Sequence, residues 1–408
     1  MPVSVEEALS LIHSFTPKLR REFIPIESAC GRILAETLTA RHNLPPFDNS
    51  AMDGYAVVCS DAGNTVLSEH TVFAGDSEQV RIAEGLAVRI MTGARIPEGA
   101  ECIVPIEEVT VDGDSVSLPD SLKAGQHIRL CGEDIEVGDA LLGAGEMLYA
   151  HHITLLASQG ITHVCVYQKP RVAIFASGSE LKMHCEPVGE HQLYNTNSPT
   201  FAARASELGC EVHFIGTAAD TLDALLALIE SALQSDLIVT SGGVSVGDAD
   251  YTKEAFAHFS LAPLFEKVNI KPGKPTTVGT IGDTLVLNLP GNPMAAALNF
   301  ELFGQALIAM LSGTHAPYQN TVTARMKHAY RLRAGRRTLL PGFFDGTHFN
   351  VCEKFAPGMI SPLGSSNGFI MLDESCGGLS AGDEVKFVPT RFVWRGREAV
   401  SLVSGTGQ

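Results

Sequence analysis

Three loops carry the residue types that can do chemistry on a charged ligand. TSGGVSVGDADY occupies 240–251, KVNIKPGKP 267–275 and LPGNP 289–293. Ser241-Gly242-Gly243-Val244-Ser245 offers backbone donors and close approach, which suits an anion. Asp248 and Asp250 follow, and paired carboxylates suit a hard cation such as Mg²⁺. Lys267, Asn269 and Lys271 alternate, so in a strand they share one face while Val268 and Ile270 take the other. Lys274 follows a Pro-Gly turn. Any one of these residues alone reads as a solvated charge. Three such loops together point to a phosphate, or another tetrahedral oxyanion, handled with a metal.

Each loop needs an element to deliver it. Asp236–Thr240 and Thr284–Leu289 are short apolar runs that end in Gly-rich or Pro-rich loops, the mark of buried strands. MAAALNFELFGQALIAML after Pro293 reads as a helix with proline in its first turn. Arg171–Ala176 is a further buried strand, ending at Ser177-Gly178-Ser179-Glu180. A helix begins at Asn197-Ser198-Pro199, a strand covers Glu211–Gly216 and ends near Asp220, and Thr221–Leu233 is a helix. Residues 171–313 therefore read β-α-β-α-β-α-β-β-α, a three-layer α/β domain. Its ligands belong off the carboxyl ends of the strands, where Glu180, Asp220 and Asp250 would gather.

The first part of the chain has a different texture. Ser4-Val5-Glu6-Glu7 is a capping box before a helix that ends at Pro17, and Ile26–Leu38 reads as a second helix interrupted by Gly31. DNSAMDGYA at 48–56 crowds Asp48, Asn49, Ser50 and Asp53 around apolar residues. Turn chemistry explains the first three but not the second Asp, flanked by Met52 and Gly54. Residues 57–130 alternate apolar runs with turn signals and read as β-rich. Met91-Thr92-Gly93-Ala94 and Gly132-Glu133-Asp134-Ile135 are further polar loops, and Asp134 reads equally well as a plain turn carboxylate. His151–Gly160 is helical and rejoins the N-terminal helices. The adjacent His151 and His152 are surface or cap residues. Residues 320–404 read as a small β-barrel, in which Trp394 packs. The cluster Arg331, Arg333, Arg336 and Arg337 reads as a solvated hairpin.

Composition limits the classes. The 408 residues imply two to four domains, and a net charge of −17 disfavours nucleic acid and anionic membrane surfaces. An anionic substrate then needs a local basic pocket, which the Lys267–Lys274 run supplies. Nine cysteines without a CxxC favour reduced thiols in a cytoplasmic protein, with Cys30, Cys165 and Cys210 as core filler. The N-terminus lacks the pattern of a signal peptide, and no uninterrupted apolar run suggests a membrane span.

With these motifs in place, the chain resembles the MoeA-type molybdopterin molybdenumtransferases, which are related to the gephyrin E domain. The resemblance rests on DNSAMDGYA, IMTGA at 90–94, GEDI at 132–135, TSGGVSVGDADY, KVNIKPGKP and LPGNP, in that order. It implies a helical dimerisation region (1–40 plus 137–169), a β-rich insertion domain (41–136), an α/β molybdopterin-binding domain (170–315) and a C-terminal β-barrel (320–404). It further implies insertion of molybdenum from molybdate into adenylylated molybdopterin, with Mg²⁺ assistance and release of AMP. The active site would be composite, within a homodimer. The carried-over functional set is Asp53, Thr92, Asp134, Glu180, Asp220, Asp250, Lys267, Lys271, Pro290 and Pro293. In this assignment Glu180 and Asp250 hold Mg²⁺, and Gly242, Gly243 and Ser245 cradle phosphate. Lys267 and Lys271 attract the pterin phosphate or molybdate, with Lys274, Gly291 and Asn292 also binding substrate. Asp53, Thr92 and Asp134 close the site from the partner subunit. Hand-over partners would be a molybdopterin adenylyltransferase and molybdoenzymes.

The chain departs from the family pattern at several positions. Ala176 and Ser179 stand where a hydroxyl and an acid or amide are usual. Leu130-Cys131 replaces a basic pair, Asn195 replaces Asp, and Pro341 replaces Arg. Two alternatives accompany the reading: adenylyl transfer from ATP to molybdopterin, and a non-catalytic scaffold or cofactor carrier.

Overall fold

The computed structural model describes residues 1–77, 79–218, 221–242 and 251–391. These form two compact units, one of residues 1–35, 145–149 and 164 onward, the other of 36–144 and 150–163. The proposed packing role of Trp394 lies outside the described residues.

The first unit is built on a six-stranded sheet. Its order is Glu211–Ala218, Arg171–Ser177, Leu237–Ser241, Thr284–Leu289, Thr277–Ile281 and Ala262–Phe265. The first four strands are parallel and the last two antiparallel. Central strands buried on both faces must be apolar throughout, and Leu237–Ser241 and Thr284–Leu289 are buried at every position. Val172 and Ile174 join a core with Phe201, Met294 and Phe300, whereas Ala173 and Phe175 join another with Leu225, Ile229 and Phe256. The helix after Pro293 runs to Ser312 through a π segment, Phe300–Gly304. It is long and apolar enough to cross a membrane, and 67% of its most apolar window is buried in the unit. Gly313 ends it in the left-handed conformation, φ 75°.

The β-barrel closes. Arg337–Phe344, His348–Val351, Val322–Met326, Glu384–Pro389 and Gly368–Leu372 follow one another around it, and the last pairs back to the first. At the N-terminus, Val5–His13 is a helix whose capping box is formed by Ser4 and Glu7.

Two expectations fail here. Ile26–Leu38 is not a helix: after one 3₁₀ turn at Ile26–Ser28 the backbone bonds to distant segments instead. Gly31, Leu34 and Ala35 donate to the carbonyls of Leu148, Glu146 and Cys165. Non-local pairing of a buried segment thus overrides its helical pattern. Cys30 is exposed in consequence and fills no core, whereas Cys165 and Cys210 are buried as expected. The second failure concerns Lys267–Lys271. The alternation is real, with Val268 and Ile270 buried and the lysines exposed, but the segment is no strand of the main sheet. It bridges to Val3, and Ile270–Lys271 pairs with Arg337–Thr338 at the barrel.

The second unit is β-rich. Its six-stranded sheet runs Cys102–Pro105, Gly54–Val57, Leu86–Ile90, Thr65–Val72, Ser115–Ser117 and Thr110–Asp112. Tyr55 and Val57 face one small core, and Ala56 faces another. The helix Ala150–Ser158 belongs to this unit, and Gln159 behind it accepts from the backbone N–H groups of Arg41 and His42.

Candidate active site

Chain direction locates the crevice in the first unit. From Arg171–Ser177 the chain leaves toward Glu211–Ala218 on one side of the sheet. From Leu237–Ser241 it leaves toward the strands on the other side. The two strands are neighbours, with Ala176 opposite Ser241, so their outgoing loops diverge and leave a gap at the carboxyl ends. A cleft of about 840 Å³ occupies that gap, lined by Ser177, Gly178, Glu180, Gly242 and Pro290–Pro293 among others.

Glycines make its floor. Gly242 has φ 98°, and a Cβ there would come within 2.5 Å of the Ser177 carbonyl oxygen, so only glycine fits. Gly242 N–H donates to Leu289 O at 3.3 Å, which ties this loop to the strand entering LPGNP. A Cβ on Gly291 would lie 3.7 Å from Gly242 Cα, so the two glycine loops touch. Asn197 Nδ2 donates to Gly291 O at 2.9 Å and fixes the second loop. The Glu180 carboxylate folds over Gly178: a Cβ on that glycine would lie 2.9 Å from both its oxygens. Glu180 is exposed and reaches the cleft.

The sequence had marked Glu180, Gly242 and Pro290–Pro293, and the fold brings them together. Asp220, Gly243, Ser245, Asp248 and Asp250 lie outside the described residues. Lys267, Lys271 and Lys274 are exposed and do not line the cleft, although Pro275, next to Lys274 in the chain, does. Asn299 holds this turn. Its Nδ2 donates to Pro272 O at 3.0 Å and its Oδ1 accepts from Thr276 at 3.2 Å. Gly273 leaves room for that amide, since a Cβ would stand 1.8 Å from Asn299 Nδ2.

Sequence reasoning missed three parts of the lining. Asn195 was read only as a family departure, and Asn197 only as a helix start. The barrel turn with Gly358 and Ile360 was not considered, though Pro357-Gly358 is a turn signal. Pro357 O accepts from Met294 N–H at 3.0 Å, which seats this turn on the start of the Pro293 helix.

In the second unit, backbone bonds join the three polar loops. Ser50 N–H donates to Ala94 O, Gly93 N–H to Ser50 O, and Ala51 N–H to His127 O. Asp48 Oδ1 accepts from Cys131 N–H at 2.7 Å. Asp53 Oδ1 accepts from both the backbone N–H and the hydroxyl of Thr92, each at 2.7 Å. Those two bonds, backbone first, hold the Asp53 carboxyl below the usual carboxylate range. Gly54 beside it is obligatory, because a Cβ would fall 2.0 Å from Val104 O. Asp134 is exposed at the end of GEDI, its N–H bonded to Leu44 O.

A glycine-floored crevice at a switch point, with one carboxylate reaching it, is the architecture of a small-molecule binding domain. Comparison with known proteins agrees. Residues 3–160 match the MoeA N-terminal region (domain I and II), 173–309 a probable molybdopterin binding domain, and 323–390 the MoeA C-terminal region (domain IV). The chain is 36% identical over 382 residues to the molybdopterin molybdenumtransferase of Haemophilus influenzae, covering 90% of this chain and 93% of that one. It is 31% identical to molybdopterin molybdenumtransferase 2 of Mycobacterium tuberculosis, over 94% and 98% of the two chains. A crystal structure of a molybdopterin biosynthesis MoeA protein from Pyrococcus horikoshii superposes with TM-score 0.84 and 30% identity, covering 96% of this chain and 100% of that one. The chain belongs to the MoeA family of molybdopterin molybdenumtransferases.

Proposed function

We propose that this protein is the transferase that inserts molybdenum from molybdate into adenylylated molybdopterin and releases AMP. The observation that carries the proposal is the cleft itself: Glu180 stands over a floor of glycine backbone, in a chain 36% identical to a named molybdenumtransferase.

The residues divide the work. Gly242 and Gly291 let phosphate oxygens approach the backbone, and Gly243 and Ser245 are the further phosphate-binding residues of the proposal. Asn197 keeps the Gly291 loop in place. Glu180 would repel a phosphate unless a cation lay between them. Among the described residues no group of three His, Cys, Asp or Glu is placed to form a closed metal site. One open carboxylate instead fits Mg²⁺, which binds through one or two carboxylates, waters and substrate phosphates. Glu180 and Asp250 are the proposed ligands. When bound, Mg²⁺ supplies neutralising charge to the anhydride as it breaks. Lys267, Lys271 and Lys274 draw in the oxyanions. Cleavage of a phosphoanhydride rests mainly on such positioning and charge stabilisation.

The proposal includes a cytoplasmic homodimer built through the N-terminal region, whose α-helix is Val5–His13, with the α/β domain in three layers. Asp53, Thr92 and Asp134 would complete the site from the partner subunit. A molybdopterin adenylyltransferase would supply substrate and molybdoenzymes would take the product. The test is reconstitution: purified protein, Mg²⁺, molybdate and adenylylated molybdopterin should activate a cofactor-free molybdoenzyme. Equal activation when the protein is omitted would overturn the proposal.

A further inference from the structure

Between Glu301 and Asp345 the chain has no acidic residue, yet it holds Arg325, Lys327, Arg331, Arg333, Arg336 and Arg337. In a chain of net charge −17 this is a local reversal of sign. None of the six lines the cleft. Three have partners within the chain. Arg325 stands opposite Glu384 in the barrel, the Lys327 charge reaches the Asp345 carboxylate, and Arg337 pairs with Glu6 and, at 3.2 Å, with Asp373. Arg331, Arg333 and Arg336 are exposed, and among the described residues none of them has an ion pair.

The backbone under two of these arginines is part of a ribbon. Tyr330–Arg331 pairs antiparallel with Gly378–Leu379, and among the described residues no third strand joins them. Leu332 N–H continues the ladder by donating to Gly377 O at 3.3 Å. Tyr330 and Leu332 pack on the barrel core while Arg331 and Arg333 face outward, the alternation of an extended chain. Bonded and non-bonded positions also alternate along an antiparallel ladder. The bond at Leu332 makes Leu332 and Tyr330 the bonded ones. The main-chain N–H and C=O groups of Arg331 and Arg333 therefore point away from Gly377–Leu379, toward an edge that no described strand covers. Gly335 N–H, bonded to Glu374 O at 2.8 Å, pins the chain just beyond that edge.

An open edge is a template for another strand. Charge selects which one. Arg331 and Arg333 are two residues apart, about 7 Å along a strand. That spacing matches carboxylates at alternate positions of an added strand, and a guanidinium group grips a carboxylate through two parallel hydrogen bonds. We propose that the edge at Arg331 and Arg333 docks an extended acidic segment of a partner protein by strand addition, with alternate carboxylates on the two guanidinium groups. A nucleic acid has the charge but no peptide backbone to complete the ladder, and the acidic remainder of the chain repels a long polyanion. The docking edge is independent of the reaction in the cleft.

The test is fluorescence anisotropy of the full-length protein with a labelled octapeptide of alternating Glu and Val. The peptide should bind saturably, and more weakly as salt is raised. Three changes should each weaken it at least about ten-fold: Gln for Glu in the peptide, methylation of its main-chain nitrogens, and Arg331→Ala combined with Arg333→Ala in the protein. Arg331→Lys with Arg333→Lys should restore only part of the affinity. The alanine variant should keep the wild-type urea midpoint and transferase activity, because these two side chains hold no ion pair within the described chain. Absence of saturable binding, or binding indifferent to the arginines or to the peptide's main chain, would overturn the proposal. So would an oligothymidylate that binds as tightly with the same arginine dependence, which marks a general polyanion surface. Self-association of the alanine variant with peptide binding intact would show that the arginines only guard the edge, and would overturn it too.

Discussion

Asp53 is the residue whose state is most directly written in its bonds. Two Thr92 donors stabilise its ionised form, so its folded pKa is depressed. A depressed carboxylate contributes stability above its unfolded pKa and loses it as pH falls through the folded value. The Asp53–Thr92 contact should therefore persist through the ordinary carboxylate range and release only below it. Carbon-13 detected titration of Asp53 should show this, and Thr92→Ala should move the midpoint upward; an unmoved midpoint contradicts the assignment. In the cleft, Gly242→Ala puts a side chain at φ 98° and against the Ser177 carbonyl. It should cost about 1–3 kcal/mol in urea unfolding and abolish nucleotide binding. Glu180→Gln keeps the shape and removes the charge. It should raise the Mg²⁺ concentration needed for half-maximal rate about ten-fold or more, and an unchanged Mg²⁺ titration would remove Glu180 from the metal site.

Elements explain how far such residues could be read from the chain. Strands such as Arg171–Ser177 and Leu237–Ser241 were legible because strands buried on both faces must be apolar throughout, and the glycine loops marked their ends. Ile26–Leu38 was misread because its backbone partners, Leu148, Glu146 and Cys165, lie over a hundred residues away, beyond any local pattern. The Lys267–Lys271 segment showed its alternation truly, but its partners, Val3 and the barrel strand at Arg337, also lie beyond any local pattern. The lysine turn depends on one buried residue, Asn299. Asn299→Ala leaves the Pro272 carbonyl without that partner and should destabilise the protein by about 1–3 kcal/mol in urea unfolding. It should also weaken molybdate binding by loosening Lys271 and Lys274.

At the scale of the whole molecule, the proposed composite site in a homodimer makes a quantitative prediction. Asp53→Ala and Lys271→Ala should each be nearly inactive alone. Unfolded together and refolded in equal amounts, about half the dimers carry one of each chain, and each of those has one intact site. Activity should recover to about a quarter of wild type; no recovery would place both residues in one subunit's site. The central claim is tested most directly by following AMP release and pterin-bound molybdenum together, with adenylylated molybdopterin and Mg²⁺, in the presence and absence of molybdate. The account predicts that AMP appears only with molybdate, one molecule for each molybdenum inserted. Tight binding without AMP release, or AMP release with no metal on the pterin, would contradict it.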